Sequence, residues 1–232
     1  MRKLDESLLK GVPPFSRLET PQIRAVLDEA SAARFETGET VFREGETADR
    51  FYLALDGTIR VTNLTPAGEQ VILLHIPPGQ LFGIARALGH TTYPGTATAA
   101  NEVVALSWPM GLWDRFAATC EGFATETFAT VGERMGQMRA SLADLATQQV
   151  EQRVANALLR LINQTGRKGA EGIEVGFPIT RADLSEMTGT TLHTVSRLLS
   201  AWEKDGIVLS QRKHVTVRDP HRLVLLATPP PG

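Results

Sequence analysis

Five residues near the C-terminal end, Thr191, His193, Thr194, Ser196 and Arg197, share one side of a predicted helix whose inner face carries Leu192, Val195, Leu198, Leu199 and Trp202. An arginine presents a rigid fork that matches guanine O6 and N7, and short hydroxyl side chains reach phosphates without filling a groove. A merely solvated helix face would more often carry Glu and Lys. The chemistry on offer is therefore hydrogen bonding to bases and phosphates. Enzymatic chemistry is poorly provided for: no nucleophile elbow, paired metal motif or phosphate-binding loop appears, and the Gly-bearing stretch FGIARALG lacks the P-loop lysine. The single cysteine, Cys120, excludes a disulfide framework, a cysteine-rich zinc site and an all-cysteine iron–sulfur cluster within one chain, and reads as a small packing residue.

The elements that must hold this face are legible around it. Thr180 is placed to cap a short helix, with Asp183 three residues on in a capping-box position and Leu184 and Met187 on its buried side. Gly189 suits the tight turn into the second helix, and small Ser185 lies where the two helices cross. After Gly206, the runs IVLSQ and HVTVR flank Arg212 and Lys213, a β-wing whose tip can meet phosphate. Upstream, Val150, Val154, Leu158, Leu161 and Ile162 define an amphipathic helix over 148–165, followed by TGRKGAEG as an exposed loop and a short extended piece ending at Phe177-Pro178. Residues 148–232 carry 11 Lys and Arg against 8 Asp and Glu, whereas residues 1–147 carry 13 against 18. A basic appendage on an acidic body fits a small nucleic-acid-binding module.

The N-terminal half has a different texture. Thr20-Pro21 opens a short helix with Ile23, Val26 and Leu27 as its stripe. Between Phe35 and Trp108, the runs ETVFRE, FYLALDG, TIRVTNL, QVILLHI, TATAA and VVALSW are punctuated by Gly38, Gly45, Gly57, Gly68 and Gly79, which predicts an antiparallel barrel or sandwich. A single helix is then expected over about 112–145, with Ala124, Phe128, Val131, Met135, Met138, Leu142 and Leu145 repeating at alternating spacings of four and three residues. That is a heptad seam and asks for a partner helix, although an amphipathic helix packed on its own domain is the plainer alternative. The expected division is residues 1–111 as an antiparallel β domain with an N-terminal helix, 112–147 as a dimerisation helix and 148–232 as a winged helix–turn–helix, in an α+β class. Hydrophobic content of 42% and charged content of 22% are those of a soluble globular chain. No unbroken apolar window of about 18 residues exists. The N-terminal MRKLDESLLKG lacks the apolar core of a signal peptide. The expectation is a soluble, cytoplasmic protein without a membrane partner.

Residues 15–218 resemble the cyclic-AMP receptor protein/FNR (Crp/Fnr) family of bacterial transcription regulators, through GETVFREGETADRFYLALDG, the long helix, TVSR and LSAWEKDGIV. The resemblance implies a β-roll effector domain, a parallel dimer helix, a DNA-reading helix at about 190–204, a pseudo-palindromic double-stranded operator and RNA polymerase as a partner. It implies base contacts from Ser196 and Arg197, with His193 where the family commonly has a glutamate. In cyclic-AMP-binding members, a glutamate and an Arg-Ser pair hold the nucleotide. Here Ile84 and Pro94-Gly95 stand at those places, and they cannot supply the charge or the donors. The reading is a pocket around Ile84, Arg86, Tyr93 and Thr96 that takes an effector other than cyclic AMP. The oxygen sensors' N-terminal cysteine cluster is absent. The motif Tyr93-Pro94-x-Thr96-Ala97 resembles a branch that responds to nitric oxide, some members through haem, which makes His75 and His90 candidate axial ligands. Surface or capping histidines are the plainer alternative. The competing function is an effector-binding dimer or scaffold whose helix–turn–helix packs only against protein.

Overall fold

A computed structural model describes residues 4–66, 68 and 70–228. These form two compact units, one built from the chain through residue 63 together with 74–136, the other from 64–73 together with 137 onward.

The first unit opens with α1 (Thr20–Asp28). Thr20 is the first helical residue and not the cap; Glu19 caps instead, in a reciprocal box with Gln22, so the helix begins one residue earlier than its Thr-Pro signal suggests. Eight strands follow: β1 (Ser31–Phe35), β2 (Thr40–Phe42), β3 (Arg50–Asp56), β4 (Ile59–Leu64), β5 (Gln70–Ile76), β6 (Leu81–Phe82), β7 (Thr96–Ala99) and β8 (Val103–Pro109). They make two antiparallel sheets, ordered β1-β8-β3-β6 and β2-β7-β4-β5. Strands β1 and β6 have no counterpart among the predicted runs, because SAARF is neither branched nor aromatic enough to stand out and a two-residue strand has no periodicity. All five punctuating glycines have positive φ. At Gly57 a side chain would also lie 2.1 Å from the Glu102 carbonyl oxygen, so the β3–β4 turn admits glycine alone.

Alternation along β3 builds two cores from one strand. Phe51 and Leu53 face a cluster with Phe15, Leu27, Trp108, Trp113, Phe116 and Phe123, while Tyr52 and Ala54 face the roll interior with Phe42, Phe82, Tyr93 and Ala97. Trp108 is fully buried and its indole N–H donates to the Val26 carbonyl at 2.8 Å, tying β8 to α1.

The expected single helix over 112–145 is two helices, α2 (Trp113–Thr119) and α3 (Phe123–Thr147). Cys120 is extended and Gly122 has a φ of +87°, which ends one helix and re-aims the chain before the next. The seam residues all lie on α3. Phe128, Met135, Leu142 and Leu145 are exposed on it, whereas Val131 packs against the aromatic cluster of its own unit. Val131, expected at the dimer contact, is half-buried against that cluster, so in the first turns of α3 the apolar face is shared with the roll.

The second unit contains α4 (Val150–Thr165), β9 (Arg167–Gly169), β10 (Gly172–Glu174), α5 (Arg181–Thr188), α6 (Leu192–Lys204), β11 (Val208–Gln211), β12 (His214–Val217) and α7 (Pro220–Ala227), with sheet order β11-β12-β10-β9. The TGRKGAEG segment is not a free loop. It forms the β9–β10 hairpin, held because Ile173 and Glu174 pair with Val217 and Thr216. Val154, Leu158, Leu184, Val195, Leu199, Trp202, Val217 and Leu223 are buried at 2% exposure or less and make the core of this unit. Among the described residues, no helix is long and apolar enough to cross a membrane.

Candidate nucleic-acid interface and sensor site

The α5–turn–α6 geometry rests on caps that the sequence signals. Thr180 accepts from the Asp183 backbone N–H at 3.1 Å and donates its hydroxyl to Asp183 Oδ2 at 2.8 Å, and that carboxylate accepts the Thr180 N–H at 2.7 Å. Gly189 ends α5 at φ +56°, and Ser185 donates across the turn to the Thr190 carbonyl. Thr191 caps α6, accepting from the Thr194 N–H, and the two hydroxyls lie 2.9 Å apart. Thr180 and Thr191 therefore spend much of their hydrogen-bonding capacity on the helices themselves.

His193 and Arg197 are exposed, four residues apart on one ridge of α6, with Ser196 half-buried beside them. Among the described residues, the Arg197 guanidinium has no ion pair or hydrogen bond. Most other arginines are engaged, for example Arg24 with Glu6 and Asp28, Arg34 with Glu102 and Arg115 with Glu29. Arg212 and Lys213 form the two-residue turn between β11 and β12 and are likewise without side-chain partners among the described residues. Lys213 is, among the described residues, the non-glycine residue held at positive φ, +64°, where its carbonyl accepts the Ile179 N–H at 2.9 Å. The wing tip, Arg181 at the start of α5 and Leu192 at the start of α6 line one basin of about 420 Å3. Leu192 overturns its expected inward placement. It is 51% exposed, because the core beneath the first turn of α6 is filled by Val195 and the residues that follow.

The four residues expected to form a sensor pocket are not brought together. Ile84 is buried at the start of a short 3-10 turn and lines a cleft of about 160 Å3 with Gln80, Leu81, Thr127, Thr130 and Glu133. Arg86 points away to an exposed ion pair with Asp114, at 2.7 Å. Tyr93 is inside the roll, stacked on Phe42 at 3.8 Å between ring centroids, and its hydroxyl donates to the Arg50 carbonyl at 2.7 Å. Burial pushes its phenol well above the usual range. Thr96, half-buried, accepts the Glu44 N–H. Arg134 sits beside the cleft. It donates to Gln80 Oε1 at 2.9 Å and to the Leu81 carbonyl at 2.8 Å, and its setting away from water pushes the guanidinium down to about 10. A lone arginine on a helix read for its apolar seam carries no sequence signal that marks it.

His75 is buried within β5, and His90 is exposed in the turn after the 3-10 segment. Neither lines the cleft. No group of three or more His, Cys, Asp or Glu side chains suited to a metal ion occurs among the described residues.

Comparison with known proteins agrees with this geometry. The Crp-like helix-turn-helix domain matches residues 152–226, and the cyclic nucleotide-binding domain matches residues 32–120. The chain is 26% identical over 221 residues to the CRP-like cAMP-activated global transcriptional regulator of Mycobacterium tuberculosis, covering 95% of this chain and 98% of that one. It is 27% identical over 192 residues to the fumarate and nitrate reduction regulatory protein of Salmonella typhimurium, covering 82% and 76%. Among solved structures, FixK2 of Bradyrhizobium japonicum superposes with a TM-score of 0.76 at 23% identity, covering 87% of this chain and 99% of that one. A CRP-family transcriptional regulator of Thermus thermophilus superposes with a TM-score of 0.71 at 26% identity, covering 84% and 96%. With a cyclic-nucleotide-binding-type sheet domain, a long helix and a Crp-like helix–turn–helix in one chain, the protein belongs to the Crp/Fnr family. It is a transcription regulator with a DNA-binding domain, not an enzyme.

Proposed function

We propose that the chain acts as a cytoplasmic homodimer that reads a pseudo-palindromic operator and answers to an effector other than cyclic AMP, with RNA polymerase as its further partner. The observation that carries the DNA reading is the unpaired Arg197, flanked by His193 and Ser196, together with the unpaired cations at the wing. Cations left unpaired beside small polar groups, in a fold that pairs so many of its arginines, suit a polyanion. A helix–turn–helix kept only as a protein scaffold has no need of such a face. The dimer reading is supported by the exposed apolar stripe of α3, Phe128, Met135, Leu142 and Leu145.

The effector reading rests on the roll. The named relatives differ in what they answer to, one being cAMP-activated and another named for fumarate and nitrate reduction, so the residues must decide. Ile84 offers no acceptor. At the place of the phosphate-binding pair, Pro94 has no N–H and its carbonyl accepts from Asn63 at 2.9 Å. A Cβ on Gly95 would stand 2.9 Å from Asn63 Oδ1, so a serine there would require the Asn63 amide to move. Haem also fits poorly. His75 is enclosed in a strand and His90 faces water. The 160 Å3 cleft is well below the roughly 300–1,000 Å3 usual for small-molecule sites, and it lacks both histidines.

The test is a selection from randomised operators followed by binding measured over a salt series. A two-fold-related site with half-sites about one helical turn apart, and affinity that falls steeply with salt, is expected. Failure to enrich any sequence, with only weak uniform binding, would favour the scaffold reading.

A further inference from the structure

An arginine closes the corner between the end of the long helix and the DNA-reading pair. Gln148 and Gln149 connect α3 to α4, and Arg153, in the first turn of α4, reaches in two directions. Its Nη1 donates to the Gln148 carbonyl at 3.0 Å, and its Nε donates to the Thr188 carbonyl at 3.0 Å. Gln148 follows the last residue of α3 and Thr188 is the last of α5. Carbonyls at such ends lack a partner within the helix, and the helix dipole favours a cation there. Three further contacts brace the same corner. Arg160 pairs with Asp144 at 2.5 Å, Asn156 donates to the Gln148 side chain at 2.7 Å, and a Cβ on Gly189 would stand 3.0 Å from Leu145. The exposed seam residues Leu142 and Leu145 thus belong to the same compact unit as the turn that presents α6.

In a dimer joined through that seam, the corner fixes where each reading helix lies relative to the two-fold axis. One base pair added between half-sites shifts a half-site by about 3.4 Å and turns it by about 35°. A braced corner cannot follow both changes, so spacing becomes part of what is recognised.

We propose that Arg153 is a positioning residue that sets which half-site spacing the dimer accepts. The inference rests on the dimeric DNA-reading function proposed above. It assigns no base contact, since base preference stays with α6.

The experiment uses the full-length protein and the operator enriched by selection, with its spacer lengthened or shortened by one base pair. Wild type should favour the selected spacing. Arg153→Gln should reduce that preference about tenfold, the scale of one charge-assisted hydrogen bond. Base preference within each half-site, read by repeating the selection, should not change. Arg153→Lys keeps the charge but presents one point in place of a planar fork, so it should fall between the two. It also carries the test if Arg153→Gln is poorly folded by circular dichroism. Arg160→Gln, which opens the neighbouring brace, should act in the same direction. Arg222→Gln should not, because its bond to the Asp205 carbonyl lies outside the corner. Equal loss of affinity at all three spacings, or an unchanged preference in both Arg153 variants, overturns the proposal. So does a monomeric Arg153 variant in light scattering, which would make the residue part of the association. Failure to select any operator is a separate result that overturns the DNA-reading function itself.

Discussion

At the scale of residues, the side chains of α6 divide by what they are free to do. Arg197 has nothing to release before it contacts a base. Arg197→Ala should therefore cost about 1–3 kcal/mol on the selected operator and relax preference at one base pair per half-site, with little loss on random DNA. Equal losses on both would reduce it to a phosphate contact. His193 stands where the family commonly carries a glutamate. A carboxylate accepts from cytosine N4, whereas a neutral imidazole brings one donor and one acceptor. His193→Glu should shift preference at the pair it faces and leave the Arg197 position unchanged, which repeating the selection with the variant will show. Cys120 belongs to the same scale. It is 8% exposed and burial pushes its thiol up, so little thiolate exists at neutral pH. Labelling by a disulfide reagent should be slow in the native protein and complete on denaturation. Fast native labelling would mean that the turn between α2 and α3 opens readily.

Elements carry the next set of consequences. The α5 cap uses Thr180 and the buried Asp183 in a closed set of three hydrogen bonds. Thr180→Ala should lower the unfolding free energy by about 1 kcal/mol, measured by denaturant titration, while Thr180→Ser should keep most of it. In α3, the exposed seam predicts association, and the variant must avoid Val131, which serves its own unit. Phe128→Glu combined with Leu142→Glu should give a monomer by light scattering with an unchanged circular-dichroism spectrum, since both side chains are exposed and their loss removes no core. A double variant that still scatters as a dimer would move the interface elsewhere.

For the whole molecule, the sensor fold has kept the architecture of a nucleotide-binding roll while its interior is closed by aromatic stacking. Phe42, Tyr52, Phe82 and Tyr93 contact one another in sequence, with ring centroids 3.8 to 6.2 Å apart. Calorimetry with cyclic AMP at millimolar concentration should show no specific binding. A micromolar dissociation constant would show that the nucleotide is held by residues other than Ile84 and Pro94-Gly95.

The signals readable in the chain alone are those set by near neighbours. Turn glycines, the Thr180–Asp183 box, the left-handed Gly189 and the alternation of FYLALDG each depend on contacts within about four residues, so type and spacing suffice to reveal them. The heptad rhythm of α3 is local in the same sense. Which of its residues stay open is not, because Val131 is claimed by aromatic side chains from distant elements. Residues 167–174 became a hairpin only because β12 arrives from more than forty residues away to pair with Ile173. The roll interior is closed by Phe42 meeting Tyr93, and Leu192 is left exposed by a core already filled beneath it. Exposure and cavity are properties of what else occupies the space, and only the folded chain decides that.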